Sequence, residues 1–182
     1  MEYCCSVWSP NHQGEINELE RIQKTFTSKI QGMEEYDYHQ RLKQLNLYSL
    51  ERRRERYLII YAWQMLEGLK VNYLNLKTNN YGRNRTIYSR PIRWSYRGKK
   101  IKHSNRSRIH ECTAKRMERL FNSIPPYLRN MKEKTTVTFK SHLDKWLQTI
   151  PDTPKIDNYG SRVVAESNSI VNQAAAQRVW QL

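Results

Sequence analysis

The sequence predicts an all-α fold: about five helices in a small bundle, a long basic loop or short hairpin in the middle, and a flexible C-terminal tail. Three observations carry this expectation. Apolar residues recur at three- and four-residue steps in five separate stretches. That periodicity vanishes after Leu76, where Gly82, Pro91, Gly98 and several Asn and Ser occupy residues 77–110. The most strand-like run, TIYSRPIRWSY, contains Pro91, which cannot donate to a ladder and confines any strand there to a sheet edge.

The first expected helix runs from Glu15 to Ile30. Ile16, Leu19, Ile22, Phe26 and Ile30 form its stripe, and Gly14 and Gly32 flank it. A shorter one, from about Tyr36 to Leu45, is marked by Tyr38, Leu42 and Leu45. The third is the strongest. Ser49 is placed to cap it, Glu51 lies in its first turn, and Gly68 stands at its end. Its stripe is Leu50, Tyr57, Leu58, Tyr61, Met65 and Leu69, while Arg52, Arg53, Arg54 and Arg56 crowd its first half beside Glu51 and Glu55.

Order returns at Thr113–Ser123, with Met117, Leu120, Phe121 and Ile124 facing inward until the prolines of IPPYL interrupt the ladder. Thr138 to Ile150 is the fifth helix, with Phe139, Leu143, Trp146, Leu147 and Ile150 on one side and Pro151 and Pro154 beyond it. Val163 to Trp180 has weak helical character and reads as part of the tail. The chain divides on this reading into a helical segment 1–76, a basic loop 77–110, a second helical segment 111–150 and a tail 151–182. The expected core centres on Ile22, Phe26, Leu42, Leu58, Tyr61, Met65, Phe121, Leu143 and Trp146.

At 182 residues the chain can bury a core without staples. Its mean hydropathy of −0.90 is low, yet 12 Tyr, 5 Trp and 3 Phe supply bulky groups to pack. Three cysteines, Cys4, Cys5 and Cys112, are an odd number with two adjacent, which fits a reducing compartment better than a disulfide framework. No run reaches the ~18 apolar residues of a membrane span, and MEYCCSVW has neither the basic region nor the apolar core of a signal peptide. An intracellular setting, nuclear or cytoplasmic, is therefore expected.

Charge is the dominant feature. Lys plus Arg is 32, Asp plus Glu is 17, and the net is +15. From Gly68 to His110 there are twelve Lys and Arg and no acid, so the rest of the chain carries only about +3 (15 − 12). Such a block calls for a polyanion. Tyr81, Tyr88, Trp94 and Tyr96 lie within it. Arg83, Arg85, Arg90, Arg93, Arg97, Lys99, Lys100, Lys102, Arg106 and Arg108 are the expected contacts to RNA or DNA phosphates, with Trp94 among them as a stacking group. Binding of this kind follows backbone charge and reads little sequence. The bland alternative is a basic surface loop around a buried Trp94.

Catalytic patterns are missing from the sequence. Two-metal chemistry needs clustered carboxylates, but the four aspartates, Asp37, Asp144, Asp152 and Asp157, are dispersed. There is no glycine-rich phosphate cradle and no nucleophile elbow. His103, His110 and Cys112, and Cys4, Cys5 and His12, lack the paired spacing of a zinc site. Neither a catalytic residue nor a metal or other cofactor is expected.

Several segments, in order, resemble the region downstream of the catalytic palm in non-LTR (LINE-like, jockey- and CR1-type) retrotransposon reverse transcriptases. EYCCSVWSP resembles that family's "LEYCSPVWSP", and LERIQKTFTSKIQGM follows it as a helix of similar character. YHQRLKQLNLYSLERRRERYLIIYAWQMLEG is similar to "Y..RL..L.L..L..RR.R.dLi..YKil.G". RMERLFNSIP stands where the family often reads "r....WN.LP", with Phe121 in place of Trp, and TVTFKSHLDKWL matches the closing "s...FK..LD..l".

The resemblance covers roughly Glu2 to Leu147 and implies the thumb edge and following helices of an RNA-directed DNA polymerase, which grip template and primer. The Tyr-x-Asp-Asp motif, fingers, palm and endonuclease are not in this sequence, so the expected role is non-catalytic binding alongside upstream polymerase domains. Met1 sits where the family usually has Leu, which suggests an internal methionine of a longer reading frame. A helix deprived of its upstream partner would leave Tyr3, Val7 and Trp8 exposed. Two further readings stand beside this one: a free-standing basic nucleic-acid-binding protein, and a helical interaction module whose charge serves solubility.

Overall fold

The structure is a computed structural model, and it describes residues 5–10, 12–79, 85–88, 113–153 and 167–179. The chain is mostly helical with one tiny hairpin. Among the described residues, five helices have ten or more residues: α2 (Gln13–Thr27), α4 (Leu50–Leu66), α5 (Thr113–Ser123), α7 (Thr136–Leu147) and α8 (Ile170–Val179). Shorter ones are α1 (Cys5–Trp8), α3 (Tyr38–Gln44) and α6 (Pro126–Arg129). Strands β1 (Lys77–Asn79) and β2 (Thr86–Tyr88) pair antiparallel with Lys77 opposite Tyr88. None of the described helices is long and apolar enough to cross a membrane.

Two compact units divide the chain: Met1–Leu58 with His142–Leu182, and Ile59–Ser141. Their boundaries fall inside α4 and α7.

In the first unit, α3 begins with a capping box: Asp37 accepts from the Gln40 amide at 2.9 Å, and Gln40 Oε1 accepts from the Asp37 amide at 3.2 Å. Ser49 caps α4 as expected, its Oγ accepting from the Arg52 amide at 3.3 Å. Leu42, Leu50, Leu58, Leu143, Leu147 and Ile150 are buried.

Helix α2 corrects the expectation. Its stripe residues Ile22 and Phe26 are 53 % and 69 % exposed, while Ile16, Glu20, Gln23 and Thr27 face inward. The buried face is the one whose polar groups find partners: Gln23 donates to the Tyr48 carbonyl at 3.2 Å, and Thr27 Oγ1 accepts from Arg41 at 3.3 Å. Trp8 is 41 % exposed.

The C-terminal segment is a second correction. Residues 167–179 do not trail as a tail; they dock within the first unit, burying Asn168, Ile170 and Ala174. The attachment is mainly polar, which is why no apolar period announced it. Glu51 accepts from Ser167 Oγ at 3.0 Å and the Asn168 amide at 3.2 Å. Glu55 accepts from Ser169 Oγ at 2.7 Å and the Ile170 amide at 2.6 Å, so a carboxylate from α4 sits at the positive N-terminus of α8.

In the second unit, the latter half of α4 is buried at Ile59, Ile60, Ala62, Trp63 and Met65. Trp63, outside the expected stripe, stacks on Phe139 with ring centroids 4.5 Å apart and donates to the Met131 carbonyl at 3.0 Å. Tyr61 is half-buried. Gly68 ends α4 with φ +74° in a Schellman arrangement: its amide bonds to Met65 O at 3.3 Å and that of Leu69 to Gln64 O at 2.9 Å. Helix α5 has the expected bounds, and Met117, Leu120, Phe121 and Ile124 are buried. Pro125 stops it and Pro126 opens α6 from the N1 position.

Candidate nucleic-acid interface

The basic block begins where α4 stops, and its described parts belong to the second unit. Residues 69–76 lead into β1 through a locked turn. Asn72 donates to the Leu76 carbonyl at 2.8 Å and accepts from the Leu76 amide at 2.9 Å, with Asn75 at φ +51° between them. This clasp buries Leu76 and leaves Leu69, Val71 and Tyr73 exposed. Tyr73 meets Tyr61 with ring centroids 6.4 Å apart and planes tilted by 57°, and Lys70 Nζ lies 4.7 Å from the Tyr61 centroid.

Strand β2 is fixed to α5 by one asparagine. Asn122 Oδ1 accepts from the Ile87 amide at 2.8 Å, and Nδ2 donates to the Ile87 carbonyl at 3.0 Å. The side chain thus pairs with Ile87 as a neighbouring strand would, and Ile87 is fully buried. On the other side of the block, α5 opens at Thr113.

Of the expected contact residues, Arg85 alone falls among the described ones. It is 6 % exposed, its guanidinium pairs with Glu67 at 2.5 Å, and its amide donates to Asn130 Oδ1 at 3.0 Å. Its charge is therefore used inside the fold and is not presented to a phosphate. Arg83, Arg90, Arg93, Trp94, Arg97, Lys99, Lys100, Lys102, Arg106 and Arg108 lie outside the described residues. So do Cys4, His103, His110 and Cys112. Among the described residues, no three His, Cys, Asp or Glu side chains are grouped to hold a metal ion.

Arg52 and Arg56 of α4, in the first unit, are engaged within the fold. Arg52 is fully buried and donates to the carbonyls of Ile150 at 2.7 Å and Pro151 at 2.5 Å, satisfying groups beyond the C-terminal end of α7. Asp152 lies 3.3 Å from Arg52 Nε and also accepts from the Ser49 amide and hydroxyl and from Asn168. Burial pushes the Arg52 pKa down, against the opposing pull of Asp152. Arg56 binds Asp144 through both carboxylate oxygens, at 2.5 and 2.7 Å, and that bond raises its pKa.

Glu20 accepts from the Glu51 amide at 2.7 Å and from the Tyr38 hydroxyl, and burial raises its pKa. Burial and the neighbouring Glu55 push Glu51 up to about 7. A groove of about 490 Å³ runs past Lys43, Tyr48, Arg52 and Asp152. Its charge is mixed, so it does not favour a polyanion.

Sequence reading passed over Tyr61, Lys70 and Tyr73 as a group. Lys70 is the first cation of the acid-free block and Tyr73 its first aromatic, a signal that was there to be read. Compared with protein-family models, with curated proteins and with solved structures, the chain matches none of them.

Proposed function

We propose that this chain is the non-catalytic C-terminal part of a non-LTR-type RNA-directed DNA polymerase, and that it holds template and primer through their backbone phosphates. The observation that carries the reading is the block from Gly68 to His110, with twelve cations and no acid. The ordered resemblance of five segments to the post-palm region supports the family, and the dispersed carboxylates support a role without turnover. The partners are RNA or DNA and the upstream polymerase domains, in the nucleus or cytoplasm. Fold alone does not give a function, so the weight rests on charge and motif order.

The test is titration of a labelled RNA–DNA hybrid with the full chain at several salt concentrations. If about six cations neutralise phosphates, log K falls with log salt at a slope near −5 for duplex and −4 for single strands. Absent or salt-independent binding would leave the helical interaction module as the surviving reading. A translated upstream frame containing Tyr-x-Asp-Asp separates the polymerase fragment from a free-standing binding protein.

A further inference from the structure

Between α4 and β1 the chain leaves three large side chains in water: Leu69 at 55 %, Val71 at 82 % and Tyr73 at 52 % exposure. The backbone that presents them is held by the Schellman bonds at Gly68 and by the clasp of Asn72 on Leu76. Exposed apolar side chains occur elsewhere on the described surface; these three are set apart by the fixed backbone beneath them and by the aromatic and cationic groups beside them. Lys70 lies over Tyr61, against which Tyr73 packs, and Lys77 is exposed at the start of β1. The nearest acid in sequence, Glu67, is occupied by Arg85 and by the Glu133 amide at 3.1 Å. The patch is therefore apolar, aromatic and cationic without a free acid of its own segment.

We propose that Tyr73, backed by Tyr61 and flanked by Lys70 and Val71, is a stacking platform for an unpaired nucleotide of a single strand. The proposal rests on the nucleic-acid reading above and adds a site to it. Every base has a π-face, so a half-exposed ring accepts bases without regard to sequence, while Lys70 meets the adjoining phosphate. The Tyr73 phenol is neutral at ordinary pH and puts no anion in the path of phosphate; burial, with Tyr61 beside it, raises its pKa further. An anionic lipid surface would share the charge requirement; the tyrosine pair held at a fixed tilt favours a base, and lipid is one of the outcomes of the test.

The test uses the full chain, fluorescence anisotropy, a labelled oligo-uridine strand and a blunt RNA–DNA hybrid. Tyr73→Ala should raise the single-strand Kd roughly five- to tenfold and leave hybrid binding within about twofold, whereas Tyr73→Trp should retain both. Val71→Glu, at a position too exposed to affect folding, should weaken the single strand similarly. If the wild type binds with a steep salt slope but neither Tyr73→Ala nor Val71→Glu changes the single-strand Kd, the platform is wrong and the phosphate-binding reading survives. If the wild type binds neither nucleic acid, both fall. Loss of binding to phosphatidylserine vesicles in Tyr73→Ala, with single-strand affinity unchanged, would assign the patch to lipid and overturn the proposal.

Discussion

Arg85 closes on Glu67 at 2.5 Å, and the second oxygen of that glutamate accepts the Glu133 amide at 3.1 Å. One cation of the basic block is thereby spent on joining β2 to the end of α4 and to the turn before α7. Both partners are mostly buried, so removing one strands the other. Glu67→Ala should cost about 3–5 kcal/mol in urea denaturation. Glu67→Leu combined with Arg85→Met should recover most of that loss. Equal loss in the single and double variants would show that the pair is not the source of the effect.

The remaining cations are expected to act together. Arg93, Arg97, Lys99 and Lys100 changed jointly to Ala should weaken nucleic-acid binding across all sequences and flatten the salt slope by about 3–4 units. Circular dichroism checks that the helices persist. An unchanged slope would place the contact surface elsewhere on the chain.

Two of the five tryptophans, Trp63 and Trp146, differ in what they hold. Trp63 is fully buried, stacked on Phe139 and hydrogen-bonded to Met131, so Trp63→Ala should cost about 3–5 kcal/mol. Trp146 is half-buried and leaves less of a cavity. Its replacement by Ala should cost about 1 kcal/mol, near the centre of the range for point substitutions. Paired denaturation curves decide the ranking, and a costlier Trp146→Ala would reverse the packing assignment.

Docking of the C-terminal segment should depend on pH through Glu51. Burial comes first among the causes that push this group up to about 7, followed by Glu55; Glu20 adds to them, while Ser167 and Arg54 oppose. Its ordinary value is 4.5, so between 4.5 and about 7 the folded state holds a proton that the unfolded state has released. Stability therefore falls as pH rises through that window, and Glu20, raised in the same direction, reinforces the trend. We expect a loss of about 1–3 kcal/mol from pH 5 to pH 8, with faster hydrogen exchange at residues 168–175. Glu51→Gln should flatten the dependence. A stability that rises with pH over the same interval would exclude this assignment.

Apolar spacing was a sound guide where a helix packs by its own stripe. Helix α5 has the bounds that its period and the following prolines mark, and Ser49 and Gly68 serve as the start and stop signals of α4. The same reasoning misjudged α2, because periodicity records the preference of one helix and not the partners it meets. Ile22 and Phe26 face water while Glu20, Gln23 and Thr27 turn inward to Tyr38, Tyr48 and Arg41. In the candidate site, the concentration of positive charge was legible from composition. The withdrawal of Arg85 was not, since its partner lies 18 positions away on another element.

By itself the sequence determined where the helices of strong period run and where cations gather without acids, because both are properties of neighbouring residues. Only the tertiary structure decided that Glu51 and Glu55 hold residues 167–179, that Arg52 satisfies the carbonyls beyond α7, and that Tyr61, Lys70 and Tyr73 meet. The reason is physical: a buried charge is tolerable only opposite a partner, and the partners of Glu51 and Glu55, more than a hundred residues away, leave no local pattern.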